Sequence, residues 1–126
     1  MIITDTLSNL FSKIKNGYLA KKSKIIEHNS KQNMNILNIL TKEGFIKSYK
    51  LNSKNQLDVY LKYKNNKPVI KELKRLSKPG KRLYITNKNL YKRKTGLYLI
   101  STSMGILTDL QAKKLNVGGE LICKIF

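Results

Sequence analysis

Apolar residues recur at helical spacing twice in the first half of the chain and at strand spacing through most of the remainder. Leu7, Leu10, Phe11 and Ile14 follow a 3.6-residue period, so a helix is expected from a cap at Thr4 or Asp5 to a stop at Gly17. Its opposite side carries Ser8, Asn9, Ser12, Lys13, Lys15 and Asn16. Lys24 to Glu27 reads as a short strand. Ser30 is placed to cap a second helix through Glu43, with Met34, Leu37 and Leu40 as its inner stripe, widened by Ile36 or Ile39, and Gly44 at its end. Phe45 to Leu51 is a strand, Asn52-Ser53-Lys54-Asn55 turns the chain, and Leu57, Val59, Leu61 and Tyr63 alternate along the next strand.

Asn65-Asn66-Lys67-Pro68 is a turn, after which Val69 to Leu76 is expected to return as another strand. Proline and glycine in Ser77-Lys78-Pro79-Gly80 both interrupt pairing, which places a domain boundary there. The predicted fold class is α+β in two small domains: residues 1–76, helix-strand-helix-strand-strand, and residues 77–126, mostly β with short helices. In the second domain Lys81 to Ile85 begins a strand, and Asn87 to Tyr91 suits one helical turn. The apolar run Leu97, Leu99, Ile100 breaks into Ser101-Thr102-Ser103-Met104-Gly105, a tight loop. Thr108 and Gln111 have capping-box spacing, opening a short helix through Leu115 with Leu110 and Leu115 facing inward and Lys113 and Lys114 solvated. Gly118-Gly119 permits a bulge or a close backbone approach before a last strand, Glu120 to Phe126.

Charge narrows the function. A formal charge of +19 on 126 residues repels itself and invites a polyanion. Lysine far outnumbers arginine, which favours diffuse neutralisation over bidentate recognition. Nucleic acid leads and an anionic membrane surface is second; no apolar run is long enough to span a bilayer. Catalysis has little to work with. His28 is the only histidine and Cys123 the only cysteine, too few for an ordinary zinc site or an internal disulfide. No Gly-x-Ser-x-Gly elbow accompanies the serines, Gly118-Gly119 lacks the rest of a phosphate loop, and Asp109 suits a helix start better than a base. No enzyme activity, cofactor, metal or small-molecule substrate is expected. Met1-Ile2-Ile3 begins no signal-peptide pattern and no Arg-rich leader. The abundance of Lys, Asn and Ile suggests an AT-rich coding genome, organellar (mitochondrial first, plastid as alternative) or that of a low-GC bacterium.

The hydroxyls of Ser101, Thr102 and Ser103 donate and accept, which suits phosphate oxygens, ribose 2′-OH groups and base edges. By turn chemistry alone, an ordinary hairpin turn is the favoured reading of the same residues. Lys92-Arg93-Lys94 is equally a solvated loop or a phosphate contact. The whole string shifts the balance. Ser101-Thr102-Ser103-x-Gly105, Thr108-Asp109, an Ala-Lys helix, Val117-Gly118-Gly119-Glu120 and Leu121-Ile122-Cys123 resemble the C-terminal signature of the universal small-ribosomal-subunit protein eight family. Thr4-Asp5-x-Leu7-x-x-Leu10-x-x-x-Ile14-Lys15-Asn16, Glu43-Gly44-Phe45-Ile46 and Lys78-Pro79-Gly80-Lys81-Arg82-x-Tyr84 resemble it as well, so the similarity extends along essentially the full chain.

That resemblance implies a structural constituent of the small ribosomal subunit. It would be a primary binder of the central domain of small-subunit ribosomal RNA that supports assembly, beside neighbouring small-subunit proteins and away from membranes. It implies RNA contacts at Ser101, Thr102, Ser103 and Gly105, at Tyr84 with its aromatic surface, at Gly118, Gly119 and Glu120, and at Lys78, Lys81 and Arg82. On the first helix it adds Thr4, Asn9, Lys13 and Asn16. Three residues depart from the pattern: Thr6 where the family often has proline, Tyr98 where a small residue is usual, and Met104 where a basic residue is usual. A non-ribosomal RNA-binding regulator, such as a translational repressor, is the alternative that shares the charge.

Overall fold

The first helical period closes into α1, Thr6–Leu19, in a computed structural model that describes residues 6–76, 80–86 and 96–126. Leu10, Phe11, Ile14 and Tyr18 form its buried side. The helix runs through Gly17 instead of stopping there. A Cβ at Gly17 would stand 2.6 Å from Ile25 Cγ2 and 2.9 Å from Leu61 Cδ1, so the glycine lets the helix settle against the strands. A helical glycine costs only about 1 kcal/mol, which this packing overrides. The chain turns two residues after the helix, at Lys21, whose φ is 56°. The expected caps Thr4 and Asp5 lie outside the described residues.

Helix α2, Lys31–Lys42, is capped by Ser30, whose side chain accepts from the Asn33 amide at 3.1 Å. Its buried side is Asn33, Ile36, Leu37 and Leu40, while Met34 is largely turned out. Of the expected stripe, Leu37 and Leu40 are buried and Ile36 widens it, while Asn33 takes the inner place expected of Met34. Asn33 occupies the inner position with its Nδ2 donating to the His28 carbonyl at 3.0 Å, which offsets part of the cost of burying an amide; its Oδ1 is buried without a partner. Three antiparallel strands, β1 (Lys24–His28), β2 (Ile46–Leu51) and β3 (Gln56–Leu61), lie in the order β1-β3-β2. Ile25, Ile46, Leu57, Val59 and Leu61 are buried on the side that meets the helices. A small hairpin of β4 (Tyr63–Lys64) and β5 (Lys67–Pro68) turns through Asn65 and Asn66 at φ 53° and 62°, a conformation that suits a two-residue hairpin loop.

The chain divides into two compact units, Met1–Ile70 and Lys71–Phe126. The division falls a few residues ahead of the expected junction at 76/77. Of the expected strand Val69 to Leu76, only β6 (Leu73–Arg75) is extended, and it pairs with the last strand of the second unit. Residues 77–79 and 87–95, which hold most of the expected linker, the expected helical turn and Lys92-Arg93-Lys94, lie outside the described residues.

The second unit is built on β10, Gly119–Ile125, which pairs antiparallel with β6, with β7 (Tyr84–Ile85) and with β8 (Leu97–Thr102). Strand β9, Gly105–Thr108, forms a hairpin with β8 and completes a five-stranded sheet among the described residues. Helix α3, Asp109–Leu115, begins with the complete capping box of Thr108 and Gln111. Its inward residues are Asp109 and Ala112. The expected inward Leu110 is 60% exposed and Leu115 is also turned out. With seven residues the helix makes barely two turns, and the cap rotates Ala112 onto a core of Ile85, Tyr98, Ile100 and Leu121. Tyr98 is thus a core residue, in the same cluster as the small Ala112. Cys123 is buried and unbridged, and burial pushes its thiol up to about 12.

Candidate nucleic-acid interface

Four strands of the second unit bring the hydroxyl loop and the glycine turn together. In register, Tyr84 of β7 lies opposite Glu120 of β10, Glu120 opposite Ser101 of β8, and Ser101 opposite Ile106 of β9. Directly opposed residues share a face, so Tyr84, Glu120 and Ser101 form one row. The row is graded from wet to dry: Tyr84 is 74% exposed, whereas Glu120 and Ser101 are half-buried. Further along the same face, Leu99 and its partner Cys123 are fully buried, which anchors the row to packed sheet.

Glu120 is fixed by Arg82, whose Nη1 donates to Oε2 at 3.0 Å. Lys81 is exposed beside Arg82. Gly119 permits the close approach behind the row, since a Cβ there would fall 2.1 Å from the Ser101 carbonyl oxygen and 2.9 Å from its carbon. Both are backbone atoms, so no larger residue fits while β10 and β8 stay paired. Gly118, half-buried, precedes it in the turn.

The hydroxyls have separate duties. Thr102 Oγ1 accepts from the Met104 amide at 3.1 Å and donates to the Gly105 carbonyl at 2.8 Å, closing the β8–β9 turn. Its proton is thereby spent, leaving a lone pair. Gly105 completes the turn at φ 104°, a conformation that favours glycine. Ser103 and Met104 stand exposed at the tip, Met104 at 58%. The hairpin reading and the binding reading therefore describe different residues of one loop: Thr102 and Gly105 build it, and Ser103 is presented by it.

In the first unit, Asn9, Lys13 and Asn16 are exposed on α1 at i, i+4 and i+7, one stripe of the helix. Lys13 is partly engaged: its Nζ lies 3.2 Å from Oε1 of buried Glu27 and donates to the Ile26 carbonyl at 3.3 Å. A groove of about 490 Å³ runs between this stripe and β1, lined by Lys13, Asn16, Lys22 and Lys24. Lys22 and Lys24 were missed by the sequence reading. Their signal was present in the lysine cluster after the helix, but only the fold brings it beside Asn16. Thr4 and Lys78 lie outside the described residues.

These surfaces offer hydroxyl and amide donors, an open phenol ring and ammonium groups, with a carboxylate already held by arginine. They suit recognition of ribose, base and phosphate. Among the described residues, no group of three or more His, Cys, Asp or Glu side chains could hold a metal ion, and no helix is long and apolar enough to cross a membrane.

Residues 5–126 match the family model described as ribosomal protein S8. The chain is 43% identical over 132 residues to the small ribosomal subunit protein uS8 of Geotalea uraniireducens, with each chain covered in full. It is 41% identical to uS8c of Oltmannsiellopsis viridis, covering 99% of this chain and 100% of that one. Against uS8 of Pelagibacter ubique the identity is 40%, again over the whole of both chains.

Proposed function

The chain belongs to the ribosomal protein S8 family, and from that premise we propose that it is a primary binder of the central domain of small-subunit ribosomal RNA. Its coarser role follows from the family: a structural constituent of the small ribosomal subunit, not an enzyme. The observation that supports the RNA-binding surface is the row Tyr84–Glu120–Ser101 beside the exposed hairpin tip. Two layers of interaction divide the work. Lysines neutralise phosphates and give salt-dependent affinity. Ser103, the Tyr84 ring and the Gly118-Gly119-Glu120 turn follow the minor-groove shape and 2′-hydroxyls of a helical RNA. Asn9, Lys13 and Asn16, with the groove lysines, add phosphate contacts from the first unit, and Lys78 and Lys81 add charge in the second, where Arg82 holds Glu120.

The ribosome concerned is organellar, mitochondrial in the first instance. The Lys-, Asn- and Ile-rich composition supports an AT-rich genome, while the relatives named above are bacterial and chloroplast proteins. Filter binding of the full chain to separate transcripts of the small-subunit RNA domains tests the target. Tightest binding to the central-domain transcript is expected. Equal affinity for all domains would overturn the assignment and leave only charge.

A further inference from the structure

The three-stranded sheet of the first unit has a second face that the helices do not use. We propose that this face, centred on Tyr60, is a stacking platform for an unpaired nucleotide of single-stranded RNA. Leu57, Val59 and Leu61 point to the helical side, so the intervening Tyr60 points to the other. Tyr60 sits on the middle strand, opposite Lys24 of β1 and Ser48 of β2. Its next neighbours on that face are Ile26 and Lys50, both paired with Asp58. The ring remains partly open, Ile26 is 46% exposed, and Lys24, Ser48 and Lys50 are exposed.

The chemistry of this face selects its occupant. The Lys50 ammonium stands 6.0 Å from the Tyr60 ring centroid, at the outer limit of a cation–π contact. It can therefore swing to a phosphate without losing a strong partner. Lys24 supplies a second ammonium on the opposite strand. Asp58, the carboxylate on this face, is buried and accepts from Asn52 Nδ2 at 3.1 Å, so its oxygens are turned into the protein and do not meet an incoming phosphate directly. An aromatic ring flanked by two ammonium groups and an aliphatic side chain provides base stacking with phosphate neutralisation. Duplex RNA hides its base faces and cannot use the ring, which restricts the site to unpaired nucleotides. The groove lined by Lys13, Lys22 and Lys24 also touches Ile26. It therefore adjoins the platform and offers the strand a cationic path onward.

The test uses the full chain with a uridine dodecamer and, separately, a twelve-base-pair RNA duplex. Tyr60→Leu keeps an apolar side chain on the sheet and removes the ring; it should weaken dodecamer binding about tenfold or more and leave duplex binding unchanged. Tyr60→Phe keeps the ring and should stay within about twofold of wild type. Lys24→Gln and Lys50→Gln should each flatten the dodecamer's dependence of log K on log salt by about 0.7. Wild-type dodecamer affinity in Tyr60→Leu would overturn the platform, as would equal losses for both RNAs. Should Tyr60→Leu fail to fold, photocrosslinking of the wild-type chain to a 4-thiouridine dodecamer decides: adducts at Tyr60 support the site, and adducts confined elsewhere refute it. Protection of this face by a protein neighbour in the assembled particle, with no nucleotide beside Tyr60, would refute it equally.

Discussion

Thr102 Oγ1 closes the hairpin turn through two hydrogen bonds, whereas Ser103 beside it is exposed and free to meet a ligand. Substitution should separate these duties. Thr102→Val should lower folding stability by about 1 kcal/mol through loss of the turn hydrogen bonds, read by urea unfolding. Ser103→Ala should leave stability unchanged and weaken RNA binding by roughly 1–3 kcal/mol, because an RNA polar group then goes unsatisfied. Unchanged affinity in Ser103→Ala would assign the whole loop to turn formation. Met104 is exposed at the same tip, where the family pattern has a base. Met104→Lys should tighten binding and steepen its salt dependence by about one phosphate contact; no gain would mean that the tip stays clear of the backbone.

At the level of elements, β10 decides whether the row forms, because it alone pairs with both β7 and β8. Gly119→Ala forces a Cβ onto the Ser101 carbonyl and should cost about 3 kcal/mol, with RNA affinity falling in step as the row separates. A folded variant of wild-type stability and affinity would contradict that geometry. Much of this architecture could be read from the chain. The alternation of Leu57, Val59 and Leu61, the Ser30 cap and the Thr108–Gln111 box are local signals, and each element formed where they stand. Signals that depend on tertiary partners were misread. Gly17 looked like a stop because only the fold brings Ile25 and Leu61 into the space a side chain there would fill. Met34 looked buried because an apolar side chain is the ordinary choice for an inner position, whereas Asn33 is held there by the bend that brings the His28 carbonyl to its Nδ2. The row itself is a product of register: Tyr84, Ser101 and Glu120 were each named from the sequence, but their alignment depends on strands that meet only in the fold.

Across the whole molecule, the charge of +19 makes binding sensitive to salt and the buried thiol makes the fold sensitive to alkali. RNA binding should weaken steeply with salt. Neutralising about four phosphates gives a slope of log K against log salt near −3 to −4, and a flat response would remove the lysine layer from the account. Alkali should act on the fold. Cys123 is raised from 9.0 to about 12 by desolvation, so the folded state keeps its proton after the unfolded chain has lost it. The resulting stability is fully present below pH 9 and is lost as pH rises from 9 toward 12, by up to about 1.4 kcal/mol per pH unit. Tyr18, raised from 10.0 mainly by burial, acts in the same direction above pH 10. Urea midpoints at pH 8, 9 and 10 should fall more steeply for wild type than for Cys123→Ala. Parallel curves would mean that the thiol ionises in place.

The most direct test is a side-chain-resolution structure of the small ribosomal subunit from the source of this chain. Tyr84, Ser103 and Glu120 are predicted to lie against ribose and base edges of a helical segment in the central domain of its RNA, with lysines at the phosphates. If those residues instead face protein or open solvent, with no nucleotide in contact, the proposed interface is contradicted.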